Sequence, residues 1–171
     1  MRKMSMPQIL FVFGHEMGHY VLGHNYVLIG VTSVVILVFL FIGYHAMKWA
    51  LARWGGTWAI RAVDDWASLP VLMVLVTGLG FLAEPVMNSI GRTLEHNADI
   101  YGLEVIHGIV PDSPQAAAQA FQILGEVSLS NPNPSPFIKF WLYDHPSTSD
   151  RVRFAAEYDP WAHGESPKYV K

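Results

Sequence analysis

The chain contains no cysteine. That excludes disulfides, thiolate metal ligands and cysteine nucleophiles, and confines any metal site to His, Asp and Glu. Charge is scarce as well: Asp, Glu, Lys and Arg make up 15% of the 171 residues, and the net charge is −3. Without a basic surplus there is no electrostatic footprint for a phosphate backbone, so nucleic acid is excluded as a partner. Apolar residues take the place of charge. They make up 51% of the chain, and the mean hydropathy is +0.26. Neither a disordered chain nor an ordinary soluble domain has that balance, which points to a membrane protein. At this length a single domain is expected. Met1-Arg2-Lys3 is basic, but the apolar stretch behind it carries His15, Glu16 and His19 and has no small-residue cleavage site. It does not read as a signal peptide.

No Asp, Glu, Lys or Arg occurs between Glu16 and Lys48, and within that gap Tyr26 to Met47 reads YVLIGVTSVVILVFLFIGYHAM. At 1.5 Å per residue this run spans roughly 33 Å, enough for a hydrocarbon core of about 30 Å. A second uncharged stretch, Trp66 to Ala83, ends at Glu84-Pro85, and Pro70 with the three glycines or prolines that follow it (Gly78, Gly80, Pro85) are the points at which such a helix can break. Transmembrane helices are therefore expected at about 26–47 and 67–88. Between them, Lys48 to Asp65 carries three basic residues and three tryptophans, the composition of a short interfacial loop. From Arg92 the character is that of a soluble helical portion, 92–171. A helix is expected from Arg92 to about His107, and another from an N-cap at Ser113 to about Leu129. Asn131 to Pro136 (NPNPSP) is a loop, Phe137 to Tyr143 is of undetermined type, and a last helix begins at Ser147 to Asp150 and stops at Asp159-Pro160. Trp161 to Lys171 reads as surface coil.

His15-Glu16-Met17-Gly18-His19 has HExxH spacing. On a helix, positions i and i+4 share one face, so two imidazoles can reach one zinc while the intervening Glu16 stands beside the water to be activated. A metzincin would need Gly at 22 and His at 25. Leu22 and Asn25 occupy those positions, with Gly23 and His24 out of register, so that class is excluded. The other common source of a third ligand is a carboxylate from a second helix. Glu95-His96-Asn97-Ala98-Asp99 offers Glu95, with Asp99 one turn later as an acceptor for a ligand imidazole N–H. On the residues alone the same pair also suits a solvated helix face. Two membrane crossings between His19 and Glu95 return the chain to one side, where such a site can close. His24 lies about 140° round a continuous helix from His19 and is expected to pack or line the cleft rather than ligate. His45, His107 and His163 show no partner pattern.

HEMGH, two apolar spans, GRTLEHNAD and DHPSTSDRVRF occur in that order. In this the chain resembles the membrane-associated zinc metallopeptidases (gluzincins) of the CAAX prenyl protease 1 and HtpX-like family. The resemblance implies a mainly α fold, with a zincin-type HExxH helix and an ExxxD helix flanking an inserted two-span hairpin, all within one metallopeptidase domain. It also implies one zinc per chain held by His15, His19 and Glu95, with Glu16 as catalytic base. Asp99 would orient a ligand, His145 and Arg151 would line the cleft, and His145 or Arg151 would stabilise the oxyanion. Without it, His145-Pro146-Ser147 reads as a turn entering a capped helix and Arg151 as a solvated charge. The implied activity is hydrolysis of peptide or protein substrates at a membrane, the site facing the cytoplasm. Loop charges do not choose the side: Lys48, Arg53 and Arg61 balance Arg2, Lys3 and Arg92. Members of this family have a substrate-aligning segment upstream of HExxH, whereas fourteen residues precede His15. The chain is therefore expected to lack that segment or to have its cleft completed by a partner. The alternative of a different class is a non-catalytic membrane adaptor that keeps the zinc fold, against which Glu16 stands.

Overall fold

The computed structural model describes residues 4–170; the basic residues Arg2 and Lys3 lie outside the described residues. Among these it is mainly α, with six α-helices and no strand: α1 (Met6–Val21), α2 (His24–Trp54), α3 (Leu69–Ile106), α4 (Ser113–Val127), α5 (Pro136–Leu142) and α6 (Thr148–Glu157). The chain divides into two compact units. One holds the residues up to Asn25 together with those from Val86 onward, and the other holds Tyr26–Pro85.

The Tyr26–Pro85 unit consists of most of α2, the first half of α3 and the turn between them. Both helices are long and apolar enough to cross a membrane. Their outer faces present Leu37, Leu40, Phe41, Met73 and Val74 largely exposed, a surface that water disfavours and acyl chains do not. Two boundaries differ from expectation. α2 begins at His24 and runs on to Trp54, absorbing the start of the expected interfacial loop, and α3 passes through Pro85 without a break into the expected Arg92 helix. A proline deletes one backbone hydrogen bond, a loss that flanking turns can absorb where little water competes for the remaining bonds.

In the other unit, α1 starts at Ser5, whose backbone N–H donates to Gln8 Oε1 at 2.8 Å, with Pro7 in the first turn where its missing N–H costs nothing. It stops because Gly23 adopts a left-handed conformation, φ +68°, which a residue without Cβ adopts freely. α1 lies close against the second half of α3 through glycine: a Cβ on Gly14 would stand 3.2 Å from Gly102 Cα, and one on Gly102 would stand 3.0 Å from His15 N. Phe11 packs edge-on against Phe121 of α4, 5.0 Å between centroids, in a core with Leu103, Ile106, Ala117, Ala120 and Ala155. α4 is capped by Asp112, which accepts from Gln115 N–H, one residue before the expected Ser113; either residue type suits the position. Phe137 to Tyr143 proves helical through Leu142, capped by Ser135. α6 is capped by Ser147.

The tail departs most from the surface-coil expectation. The backbone N–H groups of Lys168, Tyr169 and Val170 all donate to the carboxylate of Glu104 on α3, which also accepts from Tyr158 Oη. Glu104 is 3% exposed, and Trp161 stacks on His107 at 3.4 Å.

Candidate metal centre

α1 and α3 bring their polar residues to one place. His15 and His19 share one face of α1, and their Nε2 atoms are 3.2 Å apart. Glu95 of α3 reaches between them: Oε1 is 3.3 Å from His19 Nε2, and Oε2 is 3.5 Å from His15 Nε2. One ligand atom from each of the three residues lies within 4.8 Å of the others. Glu95 Oε2 is buried and accepts no hydrogen bond from the described residues. A buried carboxylate oxygen with no donor is costly, and two imidazole nitrogens beside it complete the N,N,O donor set of a zinc site with one position left open. The residues present therefore fit a zinc ion.

Behind this cluster stands a second row. His15 Nδ1 is 2.8 Å from Asp99 Oδ1, a close contact bent away from the line of a hydrogen bond. Asp99, 1% exposed, is gripped in turn by Arg151, whose Nε and Nη2 donate to its two oxygens at 2.9 and 2.5 Å. The same guanidinium lies over the Phe121 ring at 4.2 Å and 3.6 Å from Glu95 Oε2. Burial opposes charge on His15, but the Asp99 and Glu95 carboxylates outweigh it and raise its pKa to about 9. Burial likewise opposes charge on Glu95; the His15 ring, His145 and Arg151 outweigh it and bring the carboxyl down to about 2. Burial holds His19 below the ordinary histidine value.

The loop after α5 supplies His145. A Cβ on Gly91 would stand 3.0 Å from the Asp144 carbonyl oxygen, so glycine lets this loop lie against α3. Arg92 donates to the carbonyls of Lys139 and Tyr143, and Asn88 to that of Trp141, fastening α5 and its loop to the same helix. His145 Nε2 thereby comes to 3.4 Å from Glu95 Oε1, with Nδ1 against Asp144 at 2.8 Å. His15, Glu16, His19, Glu95, His145 and Arg151 all line one cleft of about 410 Å³, walled by Phe11, Val12, Phe121 and Leu124.

Each residue singled out in the sequence thus meets the others around this cleft, Asp99 lying directly beneath it. Arg151 lines the cleft with its Nε and Nη2 turned to Asp99. One residue differs from expectation. His24, expected well away from His19 on a continuous helix, has its Nδ1 2.9 Å from His19 Nδ1, because Gly23 ends the helix between them. Sequence reasoning missed Asn88 and Asp144 as supports of the His145 loop. Asn88 carries no local signal, whereas Asp144 and Arg92 stand in the DHPSTSDRVRF and GRTLEHNAD blocks themselves.

The sequence signature of peptidase family M48 matches residues 1–159 of the chain. An uncharacterized metalloprotease of Bacillus subtilis (strain 168), YhfN, is 31% identical over 155 residues; the match covers 91% of this chain and 35% of the relative, so the chain spans about a third of that protein's length. No solved structure matches it.

Proposed function

The chain belongs to peptidase family M48, and from that premise we propose that it is a zinc-dependent membrane endopeptidase. In this reading His15, His19 and Glu95 hold one zinc ion and Glu16 is the general base. The observation that carries it is the convergence of both Nε2 atoms of the HExxH pair on a buried, donorless Glu95 oxygen, in a cleft that Glu16 also lines. Zinc bound there supplies a Lewis acid that acidifies water and polarises the scissile carbonyl.

The chain's own groups supply the rest. Glu16 carries an acceptor-only carboxylate in the cleft, takes a proton from the attacking water and delivers it to the leaving amine. His145, half exposed at the cleft edge and oriented by Asp144, donates toward the oxyanion that develops on the substrate carbonyl. Asp99 fixes the His15 ring so that Nε2 faces the ion, and Arg151, its nitrogens engaged by Asp99, contributes charge to the cleft from behind. The apolar exposed faces of α2 and α3 favour a two-span membrane hairpin between the HExxH and ExxxD helices. By analogy with the family the site faces the cytoplasm and acts on peptide or protein substrates.

The test is chelator-sensitive cleavage of an unfolded protein such as casein by the detergent-purified chain, with zinc measured by elemental analysis in parent and Glu95→Ala. About one zinc per parent chain, a clear loss in the variant and cleavage restored by added zinc support the reading. Zinc bound stoichiometrically with no cleavage would favour a non-catalytic adaptor, and a well-folded parent without zinc would overturn the ligand set.

A further inference from the structure

Asp99 stands behind His15, and the partner behind His19 is of another kind. Its Nδ1 faces the Nδ1 of His24 at 2.9 Å, with the two rings edge to face, 4.9 Å between centroids. His24 is 3% exposed. The left-handed Gly23, φ +68°, lets the first residue of α2 turn back over the end of α1, a conformation other residues adopt only under strain.

We infer that His24 is a positioning residue for His19: a neutral imidazole that accepts the Nδ1–H of His19 and so commits His19 to present Nε2 to the metal. The inference rests on the ligand set proposed above. Two nitrogens 2.9 Å apart share one hydrogen, since two hydrogens would collide and two lone pairs would repel. His19 Nε2 faces the cluster, 3.3 Å from Glu95 Oε1. If that nitrogen gives its lone pair to a cation, the ring's single proton sits on Nδ1, and His24 Nδ1 must be the acceptor, its own proton on Nε2. The reverse arrangement, with His24 donating, puts the His19 proton on Nε2, pointing into the cluster where it blocks ligation. The tautomers of the two rings are therefore locked together, and only one pairing is compatible with metal. The two ligand histidines are then held differently, His15 by a carboxylate and His19 by a neutral ring.

The experiment uses the whole chain in detergent and reads zinc affinity by competition with a chromogenic chelator, in the parent, His24→Phe and His24→Gln. His24→Phe keeps a flat ring and removes the acceptor; affinity is expected to fall about 10- to 100-fold. His24→Gln returns an acceptor oxygen and is expected to recover most of that loss. Imidazole ¹⁵N spectra of the zinc-loaded parent are expected to show the proton of His19 on Nδ1 and that of His24 on Nε2. Undiminished affinity in His24→Phe, equal losses in both variants, or a proton on His24 Nδ1 would each overturn the inference. Should the variants fail to fold, the tautomers of the parent decide. A parent that binds no zinc brings down the ligand set and this inference with it, whereas a zinc-binding parent with an indifferent His24 brings down the inference alone.

Discussion

Arg151 sets Nε and Nη2 against the two carboxylate oxygens of Asp99, at 2.9 and 2.5 Å, across 52 positions of sequence. Because α6 carries the arginine and α3 the aspartate, the pair ties the C-terminal helix to the helix that bears Glu95. Asp99 is almost wholly buried, so its charge has little recourse to water if the guanidinium is removed. Breaking a buried pair from one side typically costs about 3–5 kcal/mol. Arg151→Ala is expected to lose stability on that scale in denaturant unfolding, and Arg151→Lys to lose less, since it keeps the charge but not the two-pronged geometry. An alanine variant as stable as the parent would show that Asp99 finds its compensation elsewhere.

Glu16 lines the cleft without serving the cluster's structure, as it makes none of the contacts that join His15, His19, Glu95 and Asp99. Glu16→Gln is therefore expected to bind zinc as the parent does and to lose at least about a hundredfold in peptide hydrolysis, the low end of what general-base removal costs. Turnover at the parental rate in a variant with full zinc content would remove Glu16 from the role of base.

What sequence could and could not reveal divides along the range of the interactions. His15 with His19, and Glu95 with Asp99, are each one helical turn apart, so spacing alone places each pair on one face. Arg151 and His145 were legible only through resemblance to a family, because what gives them meaning is contact with residues some fifty positions earlier and no periodicity encodes that. His24 was misplaced by assuming that the helix continued past Gly23. Glycine at a helix end was the available signal, and it lay one residue before the histidine it turns. The expected break between a span ending near position 88 and a helix beginning at Arg92 is also absent, because α3 runs through both as one helix.

Gly102 faces α1 at the height of His15: a Cβ there would lie 3.0 Å from His15 N and 3.2 Å from Phe11 Cε2. Relief would require α1 to move off α3, carrying His15 away from Glu95. Gly102→Val is expected to cost about 1–3 kcal/mol of stability, the usual range for overpacking, and to weaken zinc binding as well. Calorimetry in detergent and elemental analysis measure the two effects separately; zinc retained at parental affinity would mean that α1 yields without displacing its histidine.

Asp150 opens α6 with its carboxylate held by Ser147 Oγ at 2.6 Å and by the Lys139 ammonium. Burial works against its charge, but these two donors outweigh it and hold the carboxyl below the ordinary range. With the folded value depressed, the contribution is complete above the unfolded pKa of about 3.9 and is lost as pH falls through the folded value. The group is partly exposed, so its worth is about 0.5–1 kcal/mol. Asp150→Asn is expected to be less stable than the parent by that amount at pH 7, with the gap closing below about pH 4. Parallel unfolding curves whose separation persists at low pH would contradict this assignment.

Glu104 gives the tail its only buried anchor among the contacts described. Its carboxylate accepts from Lys168 N and Tyr169 N at 2.5 and 2.7 Å, from Val170 N at 2.9 Å, and from Tyr158 Oη at 2.5 Å. Hydrogen bonds to a charged group are worth about 1.5–3 kcal/mol each, but freed tail amides can turn to water, so the losses do not add. Glu104→Ala should therefore cost about 2–3 kcal/mol globally while releasing the tail outright. Lys168 is the sensor: its own amide is held by Glu104 and its ammonium by Asn97 Oδ1 at 3.0 Å, which keeps the adjoining peptide bond from the extended pose that trypsin requires. Limited trypsin digestion followed by mass spectrometry is expected to cut after Lys168 slowly in the parent and rapidly in Glu104→Ala. Glu104→Gln, which keeps two lone pairs on one oxygen, should fall between them, and equal cutting rates in all three proteins would mean that the tail is held by other contacts.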